Sequence, residues 1–240
     1  MKTKYKLSSN GVIHVWHTSA GQWKNNLNEL DSVLSQEEIS RKGKLISQNR
    51  QEDYIISRGV LRSILAQYLE VAAENVPLKT YPNGKPYLPG SNLNFNLSHS
   101  EGLFLYSFVL DVPIGVDLQQ VYPISNINTI IKNYFSPYEQ QILATEKKTR
   151  LKDLFFRIWT AKEAYLKGTG EGFHRPANSF SICAKTDGLY NFELRENTTA
   201  PNNIGWNIRE LHLAEDYRAA LAVKGQITQI QCQAFTLQGS

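Results

Sequence analysis

Leu93–Gln119, LNFNLSHSEGLFLYSFVLDVPIGVDLQ, reads as three strands joined by two turns. Leu93, Phe95 and Leu97 alternate with Asn94, Asn96 and Ser98, the period of a strand with one buried face. His99-Ser100-Glu101-Gly102 is the expected turn, and Leu103–Val109 is a mostly apolar run. Asp111-Val112-Pro113 interrupts the chain before a third strand at Ile114–Leu118. On both sides of this stretch the periodicity becomes helical. Residues from about Ser35 to Glu70 carry an apolar stripe of Ile55, Ile56, Val60, Ile64, Leu65 and Leu69, with Ser35 and Glu38 spaced as a capping box. Helical signals return over Pro137–Thr145 and Lys152–Lys167, and Phe180 to about Phe235 alternates loosely, as strands joined by polar turns. Turn clusters stand at Tyr81–Pro86, Leu88-Pro89-Gly90 and Ala200–Asn203. Helix and strand mix without a regular βαβ rhythm, so the fold class is α+β rather than a doubly wound sheet.

The 240 residues suffice for one large domain or two smaller ones. With 41% hydrophobic and 20% charged residues, disordered and fibrous classes are excluded. No run approaches the ~20 apolar residues that span a bilayer. The basic start, Met1–Lys6, has no apolar run after it, so no secretory signal is expected. Two cysteines, Cys183 and Cys232, exclude a disulfide framework. A cytoplasmic chain with no membrane partner is therefore expected. The 26 basic against 22 acidic residues leave a net +4, which suits an anionic ligand or an acidic partner. A nucleic-acid binder wants a concentrated basic stripe with interleaved aromatics, and the near balance of charge argues against one.

Certain residues could carry chemistry. On a strand at Ile114–Gln119, Asp117 and Gln119 project from one face, and Gly115 would leave that face open to a ligand. A carboxylate and an amide carbonyl are hard oxygen donors suited to Mg²⁺; the plainer reading is an Asp at a strand end. Glu163 and Lys167 lie four apart on a helix, either a simple ion pair or a second metal carboxylate beside a phosphate-binding ammonium. Gly168–Gly172 follows that helix instead of preceding one, which marks a helix stop, not a phosphate loop. His99 is a structural imidazole or a phosphate contact. Arg41, Lys42, Lys44, Arg50, Arg58 and Arg62 lie opposite the apolar stripe, as a solvated face or a docking surface for phosphate.

Taken in order, Gly84-Lys85-Pro86, Asn96-Leu97-Ser98-His99-Ser100, Ile114-Gly115-Val116-Asp117 and Trp159–Lys167 (WTAKEAYLK) resemble the 4′-phosphopantetheinyl transferase superfamily, in its long, surfactin-synthetase-activating type. The likeness covers roughly Ser35 to Phe180. It implies a pseudo-dimer of two similar α+β halves, residues 1–112 and 113–240, with the active site in the cleft between them. It implies transfer of the phosphopantetheine arm of coenzyme A to a serine of an apo acyl, peptidyl or aryl carrier protein, dependent on Mg²⁺, by a monomer. By the same likeness Asp117 and Glu163 bind metal, with Gln119 where many members carry Glu. Lys85, Ser98, His99 and Lys167 contact coenzyme A. Arg58, then Arg62, would hold its 3′-phosphate, and Glu139 of Phe135-Ser136-Pro137-Tyr138-Glu139 would lie near the metal. Glu163 is the expected proton acceptor, with Lys167 as its catalytic companion. A non-catalytic coenzyme A-binding protein of the same fold is the alternative.

Overall fold

The structure, a computed structural model, describes residues 5–8, 11–82, 84–172, 175–184, 191–196 and 205–236. The turn cluster at Ala200–Asn203 lies outside the described residues. The chain runs β1 (Val12–Ser19), α1 (Leu27–Ser32), α2 (Gln36–Gly43), α3 (Gln48–Leu69), β2 (Lys79–Thr80), β3 (Pro86–Tyr87), β4 (Leu93–Ser100) and β5 (Leu103–Leu110). It continues with β6 (Ile114–Gln120), α4 (Ile127–Tyr134), α5 (Pro137–Thr145), α6 (Lys148–Thr169), β7 (Phe180–Ala184), β8 (Asn191–Glu196), β9 (Trp206–Leu211), β10 (Tyr217–Lys224) and β11 (Gln229–Ala234).

The apolar run of β5 is explained by burial on both faces. Phe104, Tyr106 and Phe108 pack with Ile56, Val60 and Ile64 of α3. Leu105 and Val109 face the other way and meet Val116 and Leu118 of β6 and Leu221 of β10. The result is four layers: α3, a sheet ordered β11-β1-β5-β4, a sheet ordered β6-β10-β9-β8-β7, and α6. The α+β class expected from the sequence is observed. Within residues 12–110 and 114–224 the strand order is the same, β1-β5-β4 matching β6-β10-β9, and the β2–β3 pair matching β7–β8. The 112/113 division falls in the turn between β5 and β6. One element crosses it, because β11 pairs parallel with β1, Val12 opposite Gln229 through His17 opposite Ala234.

Two local expectations shift. The helix from Ser35 to Glu70 is two helices, α2 and α3, broken over residues 44–47, although the Ser35–Glu38 capping box is present. The expected four-residue turn at His99–Gly102 tightens to Glu101-Gly102, both at positive φ (42° and 77°), so His99 and Ser100 belong to β4. Two positive φ values are what a two-residue hairpin turn needs to match strand twist.

Candidate active site

β6 brings Asp117 into place from both its sides. One edge of β6 pairs with β10; along the other runs β4. Alternate N–H groups of an edge strand lack ladder partners, and here β4 side chains satisfy them. Asn96 Oδ1 accepts from the Val116 N–H (2.9 Å), Ser98 Oγ from the Leu118 N–H (3.3 Å), and Ser100 Oγ from the Gln120 N–H (3.0 Å). The polar alternation that the sequence assigns to a solvent face is thus a buried seam between the two sheets. Ser98 also donates to Asp117 Oδ1 at 2.9 Å.

On its other face β6 meets α6. A Cβ at Gly115 would lie 2.0 Å from the Ala164 carbonyl and 2.3 Å from the Gly168 nitrogen. Gly115 therefore admits the helix backbone, correcting the reading that it opens the face to a ligand. Gly168 has the same function toward the Trp206 ring, 2.6 Å from its would-be Cβ. Ala220 and Ala222 of β10 complete the close seat of α6. This approach sets Glu163 and Lys167, one helical turn apart, beside Asp117. Lys167 Nζ donates to Asp117 Oδ1 at 2.6 Å and to Ser98 Oγ at 3.0 Å. Gln119 shares the face of Asp117 as expected, its Nε2 being 3.5 Å from Oδ2. Burial raises the proton affinity of the Glu163 carboxyl, the Asp117 charge raises it further, and Lys167 opposes both. Two carboxylates crowded in a desolvated corner, with an amide alongside, are a donor set that suits Mg²⁺, which uses one or two carboxylates and keeps water or phosphate oxygens. Among the described residues no group of three or more His, Cys, Asp or Glu converges on a metal position.

Further basic residues share the cleft with this corner. Arg41, Arg50, Arg58, Lys85 and His99 line, with Asp117, Glu163 and Lys167, one cleft of ≈ 930 Å³. Arg58 is buried over the Tyr54 ring, and its Nη1 has no hydrogen-bond partner. A buried guanidinium nitrogen without an acceptor is costly unless an anion arrives. Lys85 reaches across from the tight turn before β3 to donate to the Lys167 carbonyl at 2.6 Å, at the negative end of α6. Burial lowers the pKa of both Lys85 and His99; for His99 the nearby Asp53 opposes that shift.

Two expected participants are elsewhere. Arg62, only 1% exposed, gives its Nε to Glu38 (2.6 Å) and its Nη1 to the Ala73 and Val76 carbonyls, away from the cleft. One helical turn past Arg58, it points into the packing beneath α2. Glu139 is not at the metal corner either. It caps α5, takes the Ile182 N–H, and pairs with Lys162 at 2.7 and 2.8 Å. Lys162 itself, adjacent to Glu163 in sequence, projects from a different side of α6, where it also donates to the Phe180 carbonyl. The sequence reading missed this pair, and the Asn96–Ser100 seam, because each needs a partner at least 20 residues away. The seam had one local signal, a period of two in polar residues, and its destination was not local.

Comparison with known proteins identifies the family. Residues 113–222 match the family model described as the 4′-phosphopantetheinyl transferase superfamily, and residues 14–106 the model for the 4′-phosphopantetheinyl transferase N-terminal region. The chain is 32% identical over 221 residues to the 4′-phosphopantetheinyl transferase HetI of Nostoc sp., covering 89% of this chain and 88% of that one. The chain belongs to the 4′-phosphopantetheinyl transferase superfamily. It is also 30% identical over 178 residues to the transferase Sfp of Bacillus subtilis, covering 69% of this chain and 78% of the relative. Among solved structures, a holo-(acyl-carrier-protein) synthase from Bacillus anthracis in complex with CoA (3′,5′-ADP) overlaps 48% of this chain and 98% of its own, with TM-score 0.39 and 18% identity. The transferase's matched segments meet at the turn between β5 and β6, and the cleft draws residues from both.

Proposed function

We propose that this transferase moves the 4′-phosphopantetheine arm of coenzyme A onto a serine of an apo carrier protein and releases adenosine 3′,5′-bisphosphate. The observation that carries this reading is the make-up of the cleft. It gathers paired carboxylates beside an ammonium together with further cations, among them a buried guanidinium nitrogen without an acceptor. Arg58, Arg41 and Arg50 suit the 3′-phosphate, with Lys85 and His99 further along the phosphate path. Asp117 and Glu163, with the Gln119 carbonyl or water, would hold Mg²⁺. When bound, the ion supplies neutralising charge to pyrophosphate oxygens.

The carrier serine attacks the β-phosphorus in line; the new P–O bond forms as the bond to the bridging oxygen breaks, and the bisphosphate leaves with that electron pair. Glu163, whose proton affinity is raised by its surroundings, takes the hydroxyl proton directly or through water. Lys167 stabilises charge on the departing oxygens. Carrier proteins are commonly acidic around the modified serine, so the net +4 favours association by steering, with a rate that falls as salt rises.

The pseudo-dimer, divided at 112/113, rests on the matching strand orders. A monomer suffices, since a single chain completes the cleft. No helix among the described residues is long and apolar enough to cross a membrane, and the cytoplasm is the compartment proposed. The test is intact-mass spectrometry of apo carrier proteins incubated with the transferase, coenzyme A and Mg²⁺. A phosphopantetheine-sized gain that requires metal is expected. No gain on fatty-acid, polyketide or peptide carriers, with coenzyme A still bound, would move the chain to the non-catalytic alternative.

A further inference from the structure

α3 meets the cleft along one stripe, Arg50, Asp53, Tyr54, Ser57 and Arg58, at the three- and four-residue spacing of a single helix face. Asp53 is the one acid on that stripe. It is half-buried, and burial raises the proton affinity of its carboxyl; the nearby His99 opposes this, while Glu101 and Glu52 add to it. A carboxylate beside so many cations would ordinarily pair with one of them. Among the described residues, Asp53 has neither a hydrogen bond nor an ion pair.

Arg58 is five residues on, past the i+4 position where a helix brings opposite charges together, and about 7.5 Å further along the axis. Its guanidinium lies over the Tyr54 ring, and its Nη1 also has no partner. The stripe therefore presents an acceptor without a donor and a donor without an acceptor, held too far apart to satisfy each other. Partly desolvated groups of this kind are costly until a ligand completes them. Their complement is a group that carries an anion next to a hydroxyl. The ribose of coenzyme A is such a group, with its 3′-phosphate beside a free 2′-hydroxyl.

Resting on the transferase reading, we propose that Asp53 is a specificity-determining residue that accepts a hydrogen bond from the ribose 2′-hydroxyl while Arg58 holds the 3′-phosphate. The carboxylate then works in two ways. It rewards a hydroxyl at the 2′ position, and its charge repels a phosphate placed there. Nucleotide sites that take a free 2′-hydroxyl commonly use an acidic side chain for it, and those that take a 2′-phosphate use arginine. Discrimination here comes from the repulsive element as much as from the attractive one.

The test uses calorimetry on the full chain with adenosine 3′,5′-bisphosphate, adenosine 2′,5′-bisphosphate and 2′-deoxyadenosine 3′,5′-bisphosphate. Wild type should prefer the 3′,5′ to the 2′,5′ isomer by at least about tenfold, and should lose roughly tenfold on the 2′-deoxy compound, as for a hydrogen bond to a charged group. Asp53→Asn removes the charge and should narrow the preference between isomers about tenfold, chiefly by tightening the 2′,5′ compound. In Asp53→Ala the 2′-deoxy and ribo compounds should bind alike. Arg58→Ala should weaken both 3′,5′ compounds and keep the difference between them. Equal wild-type affinity for the ribo and 2′-deoxy compounds would overturn the proposal without any variant. A preference between isomers unchanged in Asp53→Asn would overturn it as well, with the transferase reading intact. If wild type binds none of the three bisphosphates, the coenzyme A reading itself fails and this proposal falls with it.

Discussion

The two long helices are anchored by the same device, built on the short helix before each, and end in opposite chemistry. Before α3, Ser35 and Glu38 form a capping box whose glutamate also binds Arg62; before α6, Ser136 and Glu139 form one whose glutamate binds Lys162. In both, a glutamate that caps one helix anchors a cation from the next, so each long helix is fixed in rotation. What then faces the cleft differs. α3 presents Arg50 and Arg58; α6 presents Glu163 and Lys167. A repeated frame can therefore divide labour, one copy holding anions and the other holding the carboxylates that act on them. The cations that fix the frame, Arg62 and Lys162, are not the cations that serve the site.

Replacing the groups that differ should produce the largest effect. Glu163→Gln should cut transfer by on the order of 10²–10⁴-fold with Tm unchanged, measured by carrier modification and thermal melting. Full activity in a folded variant would remove Glu163 from the chemistry. Next come the anchors. Glu139 and Lys162 have side-chain exposures of 0% and 1%, against 10% for Glu38. Lys162→Met should therefore destabilise by about 3–5 kcal/mol, the usual consequence of leaving a buried charge unpaired. Arg62→Met should destabilise less, since Glu38 can regain water, and adding Glu139→Gln to Lys162→Met should recover part of the loss. Equal losses for the two single variants, by denaturant unfolding, would erase this difference between the halves.

Arg58→Ala tests the anion-holding side. It should weaken coenzyme A binding roughly 10–100-fold by calorimetry, the range for a lost bond to a charged group, with kcat at saturation little changed. The smallest effect concerns pH and belongs to the first half. Trp16 Nε1 donates to the Tyr68 hydroxyl, which also shares a 2.7 Å hydrogen bond with His14 Nδ1. Burial lowers the His14 pKa below its ordinary 6.5. The unfolded chain then binds the proton more readily, so stability is full above about pH 6.5 and declines as pH falls below it. His14→Gln should flatten that decline by on the order of a few °C in Tm between pH 7 and 5. An unchanged slope would assign the acid sensitivity to other groups.

What was legible in the sequence follows the range of each interaction. The strands at Leu93–Gln119, the Ser35–Glu38 capping box and the Glu163–Lys167 spacing depend on neighbours within a few residues, so their patterns could be read directly. The ordered motifs also carried Asp117, Glu163 and Lys167 to one site, as the structure places them. Roles set by distant partners were not legible. Arg58 and Arg62 are equivalent basic residues one helical turn apart, and only Glu38 and the Ala73 and Val76 carbonyls distinguish them. Gly115 is small for the sake of Ala164 and Gly168 on another element. Asn96 and Ser98 look solvent-facing because nothing nearby announces that β6 will lie along them.

The return of β11 to β1 has a consequence for synthesis on the ribosome. Among the described strands, β1 comes first and is paired by β11, which comes last, and Phe235 just beyond β11 packs against Trp16 and Trp23. While the chain is emerging, β1 keeps an open edge until more than two hundred later residues have followed. Vectorial folding of the first half ahead of the second is thus blocked at its final step, and both halves must mature together, with an exposed edge to shield in the interval.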